Sequence, residues 1–277
     1  MKSLRADIYP VNKEEENHPG NKIPQLTLLF WIMKIIATTL GETGGDYIAQ
    51  TLNVGYAIST IIFFAFFLVT VTSQLLVRTY IPPLYWAVIV ATSTAGTTMS
   101  DYMDRTLKFG YPLGAAILVT ILIIILIVWK FLEKNLSVTD IETRRGEFFY
   151  WIAILFSNTL GTALGDFMAD SSGLGFGGSA AIITGVIIII ILLYFFTKVN
   201  RVVLFWIAFV LTRPFGATFG DLLTKSRAKG GMDYGTKGAT LILLGLLVVL
   251  IIFEVVKLNK QKALRSSVSY SGTTSPV

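Results

Sequence analysis

Runs of apolar residues, each close to twenty residues long, alternate with short polar breaks along most of the chain. About twenty apolar residues in a helix span the hydrocarbon core of a bilayer. The pattern therefore predicts eight transmembrane helices, over residues 25–50, 57–77, 83–106, 112–132, 148–170, 178–197, 202–225 and 236–256. Several breaks contain turn formers, such as Pro82, Pro83 and Gly110. We expect an all-α integral membrane protein.

Four tryptophans mark an internal repeat, because each precedes an aspartate by fifteen positions. The pairs are Trp31 with Asp46, Trp86 with Asp101, Trp151 with Asp166 and Trp206 with Asp221. Each unit covers two predicted helices, so the chain consists of four two-helix repeats. Two-helix repeats place all odd-numbered helices in the same direction across the membrane, and the four aspartates are then expected to form one layer.

The repeats divide the chain into regions. We predict a polar cytosolic tail over 1–24, a first four-helix half over 25–132, a cytosolic linker over 133–147, a second half over 148–257 and a disordered tail over 258–277. In each repeat a glycine lies ten positions after the tryptophan and a small residue follows four positions later. This spacing is typical of closely packed membrane helices.

Tandem two-helix units, each marked by a tryptophan, resemble a bacterial family of uncharacterised multi-pass membrane proteins. The resemblance covers residues 23–257 and rests on the four Trp-to-Asp units. It implies a topology of four repeats. It implies no substrate, ligand or site, because the function of that family is unknown.

The composition excludes several kinds of chemistry. Hydrophobic residues make up 53% of the chain and charged residues 14%, with a mean hydropathy of +0.68. The absence of cysteine excludes disulfides, thiolate catalysis and thiolate zinc sites. The single histidine, His18, lies in the polar tail, so an imidazole metal cage is excluded. Because hydrolase, nucleotide-binding and metalloprotease motifs are also missing, we predict that the protein is not an enzyme.

Lys and Arg residues outside the predicted helices lie mostly in the two tails and in the loops on the same side of the membrane. The positive-inside rule then places both termini in the cytosol and the protein in the inner (plasma) membrane. This bias explains the net charge of +6, so nucleic acid is not an expected partner. The expected partners are the lipid bilayer and a small cation or proton, and a homo-oligomer remains an option.

Polar side chains concentrate on the odd-numbered helices, at positions seven, eleven and fifteen after each tryptophan and hence on one helix face. A charged group in the hydrocarbon costs at least about 2.5 kcal/mol, so such groups face the protein interior. We therefore expect odd helices inside, around a polar path, and even helices outside. The candidate ion-binding residues are Glu42, Asp46, Thr97, Asp101, Asp104, Asn158, Thr162, Asp166, Asp170 and Asp221.

Two cations, Arg213 and Lys34, lie well inside the predicted spans, away from the span ends. Arg213 replaces the neutral polar residue of the other repeats, and we expect it to pair with Glu42 or with a facing aspartate, as a structural ion pair or as part of the site. Lys34 is either a second charge partner or a side chain that extends to the cytosolic interface. The repeat tryptophans are expected to act as interface anchors and in packing.

Oxygen ligands indicate the class of ion. Carboxylate, hydroxyl and amide oxygens favour hard cations, and closely spaced carboxylates repel each other unless they share a cation or proton. We predict a transporter of a small hard cation, either a divalent metal or Na⁺, with or without proton coupling, whose four aspartates are the metal ligands. No organic cofactor is indicated. The alternatives are a channel with an aspartate ring, a non-transporting scaffold, and aspartates that only cap helix ends.

Overall fold

The computed structural model describes residues 24–134, 136, 141 and 143–272, with side chains as far as residue 264. Over these residues the chain forms eight α-helices and no β-strand, as predicted. They are α1 (Leu28–Asp46), α2 (Tyr56–Leu76), α3 (Pro82–Asp101), α4 (Tyr111–Glu133), α5 (Arg144–Asp166), α6 (Gly175–Phe196), α7 (Arg201–Thr224) and α8 (Thr236–Gly272). The predicted polar tail, including His18, lies outside the described residues except for residue 24.

Six helices, α2 and α4 to α8, are long and apolar enough to cross a membrane. The even-numbered helices expose most of their Ile, Leu, Val and Phe side chains, as expected for a surface that faces lipid. Helices α1 and α3 have similar lengths, but they contain more Thr and Gly and are largely buried. The protein is therefore a multi-pass membrane protein whose most polar helices lie inside.

The odd-numbered helices form a closed ring in which α1 contacts α3 and α7, and α5 contacts the same two helices. Each even-numbered helix packs outside this ring, against the odd-numbered helix that follows it: α2 on α3, α4 on α5, and α6 on α7. Helix α8 packs on α1 and completes the cycle. The prediction of odd helices inside and even helices outside is confirmed. The two predicted halves join in one ring.

Repeat glycines allow the inner helices to approach each other closely. The glycines and the residues that they face are Gly41 with Ser93, Gly96 with Asn158, Gly161 with Arg213 and Gly216 with Thr38. A Cβ added to Gly216 would lie 2.6 Å from Thr38 Oγ1, so even alanine does not fit there. One turn further along α7, Gly220 faces Glu42, which lies one turn beyond Thr38 on α1. Both helices therefore run in the same direction, so neighbouring inner helices are parallel. The predicted packing role of these glycines is confirmed.

Aromatic side chains fill the ring at the amino-terminal ends of the inner helices, which we call the tryptophan end. The hydroxyl oxygens of Tyr85 and Tyr150 lie 2.7 Å apart there. Three of the four repeat tryptophans are buried in this layer, and they are Trp86, Trp151 and Trp206. For these three, packing is the role that the structure supports, rather than contact with the lipid interface.

The opposite ends of the inner helices, which we call the aspartate end, differ between repeats. After each of the first three repeat aspartates the helix continues as one π-helical turn, over Tyr47–Thr51, Tyr102–Thr106 and Phe167–Ser171. Helix α7 instead ends at Thr224, and a short 3₁₀ turn, Arg227–Lys229, follows. The fourth repeat therefore has a different connection at the aspartate end from the first three.

Helix α8 is longer than the sequence pattern predicts. It continues to Gly272, so the expectation of a disordered tail from residue 258 is wrong for residues 258–272, while 273–277 lie outside the described residues. Residues such as Lys260, Lys262 and Leu264 favour helix, and extending an existing helix avoids the cost of nucleation. Polar composition alone did not reveal this extension.

Candidate ion-binding site

A column of polar side chains runs along the centre of the inner ring, as the stripes of the sequence predict. It begins at the level of Thr38, Ser93, Asn158 and Arg213, whose side chains are fully buried. One turn further on it contains Glu42, Thr97 and Thr162, together with the small Ala217. The repeat aspartates follow at the aspartate end. We call this set the polar column.

Arg213 of α7 contacts all three other inner helices. Its Nη2 donates to Glu42 Oε2 at 3.0 Å and to Thr162 Oγ1 at 2.8 Å, and it also contacts Thr97 Oγ1. Its Nη1 donates to the carbonyl oxygen of Thr38 at 2.9 Å. The predicted pair of Arg213 with Glu42 is confirmed. Because the charge is shared among four helices, this contact holds the centre of the ring together.

Asn158 takes a different position from Thr97 and Thr162, although all three lie in the predicted stripes. Its side-chain nitrogen donates to Thr92 Oγ1 at 3.0 Å and contacts Ser93 Oγ at 3.4 Å. Thr97 Oγ1 lies 3.4 Å from Glu42 Oε2. Asn158 therefore links α5 to α3, whereas the two threonines surround the buried ion pair.

The four repeat aspartates are buried in two pairs, and each pair is bridged by one cation. Arg105 contacts Asp101 Oδ1 through Nε at 2.7 Å and Asp166 Oδ2 through Nη2 at 3.0 Å. In the other pair, Lys225 Nζ lies 2.6 Å from Asp46 Oδ2 and 3.2 Å from Asp221 Oδ1. The aspartates therefore do not form a ring of four free carboxylates.

Lys225 directly follows the last residue of α7. Burial lowers the pKa of Lys225, but the carboxylates of Asp221 and Asp46 outweigh burial and hold that pKa above its ordinary value. The ammonium group therefore stays charged throughout the physiological pH range. A neutral amine is not available there to accept a proton.

Three carboxylates of the first and last repeats lie close enough together to share one metal ion. Ligand oxygens of Glu42, Asp46 and Asp221 lie within 4.8 Å of one another, and all three residues are buried. We call them the carboxylate cluster. Two of its members contact Lys225, and the third contacts Arg213. Oxygen ligands of this kind suit Mg²⁺, Mn²⁺, Ca²⁺ or Na⁺.

Asp104 and Asp170 lie outside the carboxylate cluster. Asp104 packs against Gly114 of α4 and lies 3.5 Å from Ser100 Oγ. The side chain of Asp170 is 44% exposed, and its Oδ2 accepts a hydrogen bond from the Tyr111 hydroxyl at 3.0 Å.

The side chain of Asp104 does not face Asp101, although only three positions separate the two residues. A π-helical turn contains more residues than an α-helical turn, so Arg105, four positions after Asp101, faces that carboxylate, and Asp104 is turned away.

Lys34 is fully buried near the tryptophan end. Its Nζ lies 3.9 Å from the centroid of the Phe209 ring and has no hydrogen-bond partner among the described residues. Neither expected role is found among the described residues, since the Lys34 side chain is fully buried and no described carboxylate contacts it. The corresponding positions of the other repeats, Ile89, Ile154 and Phe209, are apolar, and the surrounding helices leave the side chain no route outward.

The two bridging cations, Arg105 and Lys225, were missing from the sequence-based candidates. They lie at the ends of the predicted spans 83–106 and 202–225 and were therefore counted with the charges at the membrane surface. Their spacing could have predicted this role, because each follows a repeat aspartate by four positions and can pair with it on one helix face. The corresponding residues of the four repeats are Gln50, Arg105, Asp170 and Lys225.

Comparison with known sequences agrees with this repeat structure. A family model described as Repeat of Unknown Function (DUF347) matches residues 29–80, 84–135, 149–200 and 204–257. Each matched segment covers one inner helix and the outer helix that follows it. No curated protein and no solved structure matches the chain. With four tandem matches over most of its length, the chain belongs to the DUF347 repeat family.

Proposed function

We propose that the protein is a carrier of a small hard cation, in an inner (plasma) membrane and with both termini in the cytosol. The observation that carries this proposal is the carboxylate cluster, whose ligand oxygens lie within 4.8 Å of one another inside the ring. Burying several carboxylates together in a membrane protein is costly, and such groups commonly mark ion or proton pathways. The oxygen ligands favour a hard metal ion or Na⁺ over a soft metal.

The balance of charge in the polar column supports a cation as the transported species. Glu42 and the four repeat aspartates are buried, and the cations that contact them among the described residues are Arg213, Arg105 and Lys225. The column thus has more carboxylates than cations. A bound cation or shared protons would reduce this repulsion, which also makes proton coupling a natural part of the proposal.

The position of Arg213 favours a carrier over a channel. Its side chain lies between all four inner helices and contacts Thr38, Glu42 and Thr162. An ion that moves along the ring axis would meet this positive charge in a site of low dielectric constant. A carrier can expose its site to one side at a time, whereas a channel requires a continuous path.

The direct test is ion uptake by purified protein in liposomes. Uptake of Mg²⁺, Mn²⁺, Ca²⁺ and Na⁺ is measured with and without a pH gradient, for wild type, Asp46→Asn and Asp104→Asn. We expect saturable uptake of at least one ion that Asp46→Asn abolishes. The matched variant Asp104→Asn should retain it, because Asp104 lies outside the carboxylate cluster.

The same assay separates the alternatives. A channel would give fast, non-saturating flux that follows the ion gradient, and Asp46→Asn would change its selectivity rather than abolish it. Absence of flux for every ion would contradict both transport functions and favour the non-transporting scaffold. Equal loss of uptake in Asp46→Asn and Asp104→Asn would contradict the assignment of ion binding to the carboxylate cluster.

A further inference from the structure

A cation that belongs to the chain already lies in the proposed site. Lys225 Nζ is positioned between Asp46 Oδ2 at 2.6 Å and Asp221 Oδ1 at 3.2 Å. These are two of the three carboxylates in the carboxylate cluster. An ion bound by the cluster would therefore compete with this ammonium group for the same oxygens.

Arg105 and Lys225 hold their aspartate pairs in different ways. Arg105 uses two separate nitrogens, one for Asp101 and another for Asp166, and the planar guanidinium fixes both directions. Lys225 shares a single nitrogen between its two partners, and the ammonium is a point charge on a flexible stem. Both side chains reach the surface in part, with 17% of Lys225 and 35% of Arg105 exposed, so the difference between them lies in this geometry. Lys225 is therefore the easier of the two cations to displace.

We infer that Lys225 is a tethered competitor of the transported ion, so that a divalent cation binds by replacing its ammonium group between Asp46 and Asp221. This inference rests on the proposed function and narrows its substrate class. Without Lys225, the three carboxylates of the cluster face one remaining cation, Arg213, which leaves two negative charges. A divalent ion matches that charge, whereas Na⁺ would leave one carboxylate uncompensated.

Displacement of Lys225 also affects one particular helix contact. Asp46 ends α1, and Lys225 follows α7, so their ion pair joins the first and last repeats at the aspartate end. The contact of Arg213 with Glu42 joins the same two helices one turn further inside. Ion binding would thus replace the ion pair of Asp46 with Lys225 by contacts to the bound ion. The ion pair of Glu42 with Arg213 would persist. The ion would therefore enter the site between α1 and α7, the first and last inner helices of the ring.

The chain contains no cysteine, which allows a test with one reactive thiol. Mn²⁺ binding to purified Lys225→Cys is measured from the electron paramagnetic resonance of free Mn²⁺. We expect affinity about tenfold or more above wild type, because a competing charge a few ångströms away is removed. Aminoethyl methanethiosulfonate restores an ammonium group and should return the affinity to the wild-type value. The neutral methyl methanethiosulfonate should leave it high.

Lys229→Cys is the matched control, since it removes one positive charge from the same end of the protein at a residue that is exposed. Its Mn²⁺ affinity should equal that of wild type. Equal or weaker binding by Lys225→Cys, or the same effect from both reagents, would overturn the inference. If Lys225→Cys does not fold, Lys225→Gln provides the same affinity comparison. If folded wild type and variant both fail to bind Mn²⁺, the inference is overturned, whereas the proposed function is judged separately by the uptake assay with Mg²⁺, Mn²⁺, Ca²⁺ and Na⁺.

Discussion

Replacement of Arg213 by methionine tests whether the buried ion pair holds the inner ring together. Met fills part of the same volume but leaves the carboxylate of Glu42 buried without its cation. Thr162 and the carbonyl of Thr38 also lose the group that donates to them. Removal of one partner from a buried ion pair typically costs about 3–5 kcal/mol. We therefore expect Arg213→Met to lower the free energy of unfolding by about this amount.

The assay is reversible unfolding in mixed micelles by increasing sodium dodecyl sulfate, followed by circular dichroism. Arg201→Met is the matched control, since Arg201 begins the same helix and its guanidinium lies 4.1 Å from the Tyr194 ring at an exposed position. An exposed cation–π contact contributes about 0.5–1 kcal/mol, so this variant should be nearly as stable as wild type. Both substitutions remove one positive charge from α7.

A double-mutant cycle separates the ion pair from the loss of packing. Arg213→Met combined with Glu42→Gln should be more stable than the sum of the single effects indicates, by about 1–3 kcal/mol, because no uncompensated charge remains. If Arg213→Met costs no more than Arg201→Met, or if the two single effects simply add, then the reasoning about a charge shared among four helices is refuted.

Two further predictions concern the ring interface and Lys225. Gly216→Ala should destabilise the protein by about 1–3 kcal/mol through overpacking, since its Cβ would lie 2.9 Å from the backbone carbon of Thr38. Gly185→Ala on α6, where a Cβ meets no atom within 4 Å, should be neutral in the same unfolding assay, and equal costs would contradict the packing argument. Lys225→Gln should be less stable than wild type at neutral pH. Because the pKa of Lys225 is raised in the folded protein, this difference should be constant between about pH 7 and 9 and shrink above about pH 10.4, the ordinary lysine value. A difference unchanged up to about pH 12 would contradict the assigned ion pairs.

The fold was predictable because a membrane restricts the choice of structure. A chain that must satisfy its backbone groups within lipid forms helices or closed barrels, so apolar runs of helical length give the number of helices directly. The constant interval from Trp31 to Asp46 and its three copies then gave the repeat and the parallel inner helices. The ring order was not predictable from these intervals. The intervals also do not show which inner helix each outer helix covers, and α2 covers α3 rather than α1.

The candidate site was predictable in part. Arg213 and Glu42 were expected to pair because two opposite charges inside predicted spans stabilise each other, and they do. Arg105 and Lys225 were missed because Lys and Arg at the ends of predicted spans are normally assigned to the membrane surface, and hydropathy does not reveal which of them turn inward. Lys34 behaved differently from both expectations, since its surroundings are set by apolar residues of other repeats that the sequence of α1 does not reveal.

The location of a bound metal ion tests the central claim most directly. Crystals of the protein grown in a lipid phase with Mn²⁺ would give an anomalous difference map at the manganese absorption edge. We expect a peak coordinated by oxygens of Glu42, Asp46 and Asp221, with Lys225 Nζ moved away from both aspartates. Saturating Mn²⁺ with no peak in the carboxylate cluster, and with Lys225 still bridging Asp46 and Asp221, would contradict it.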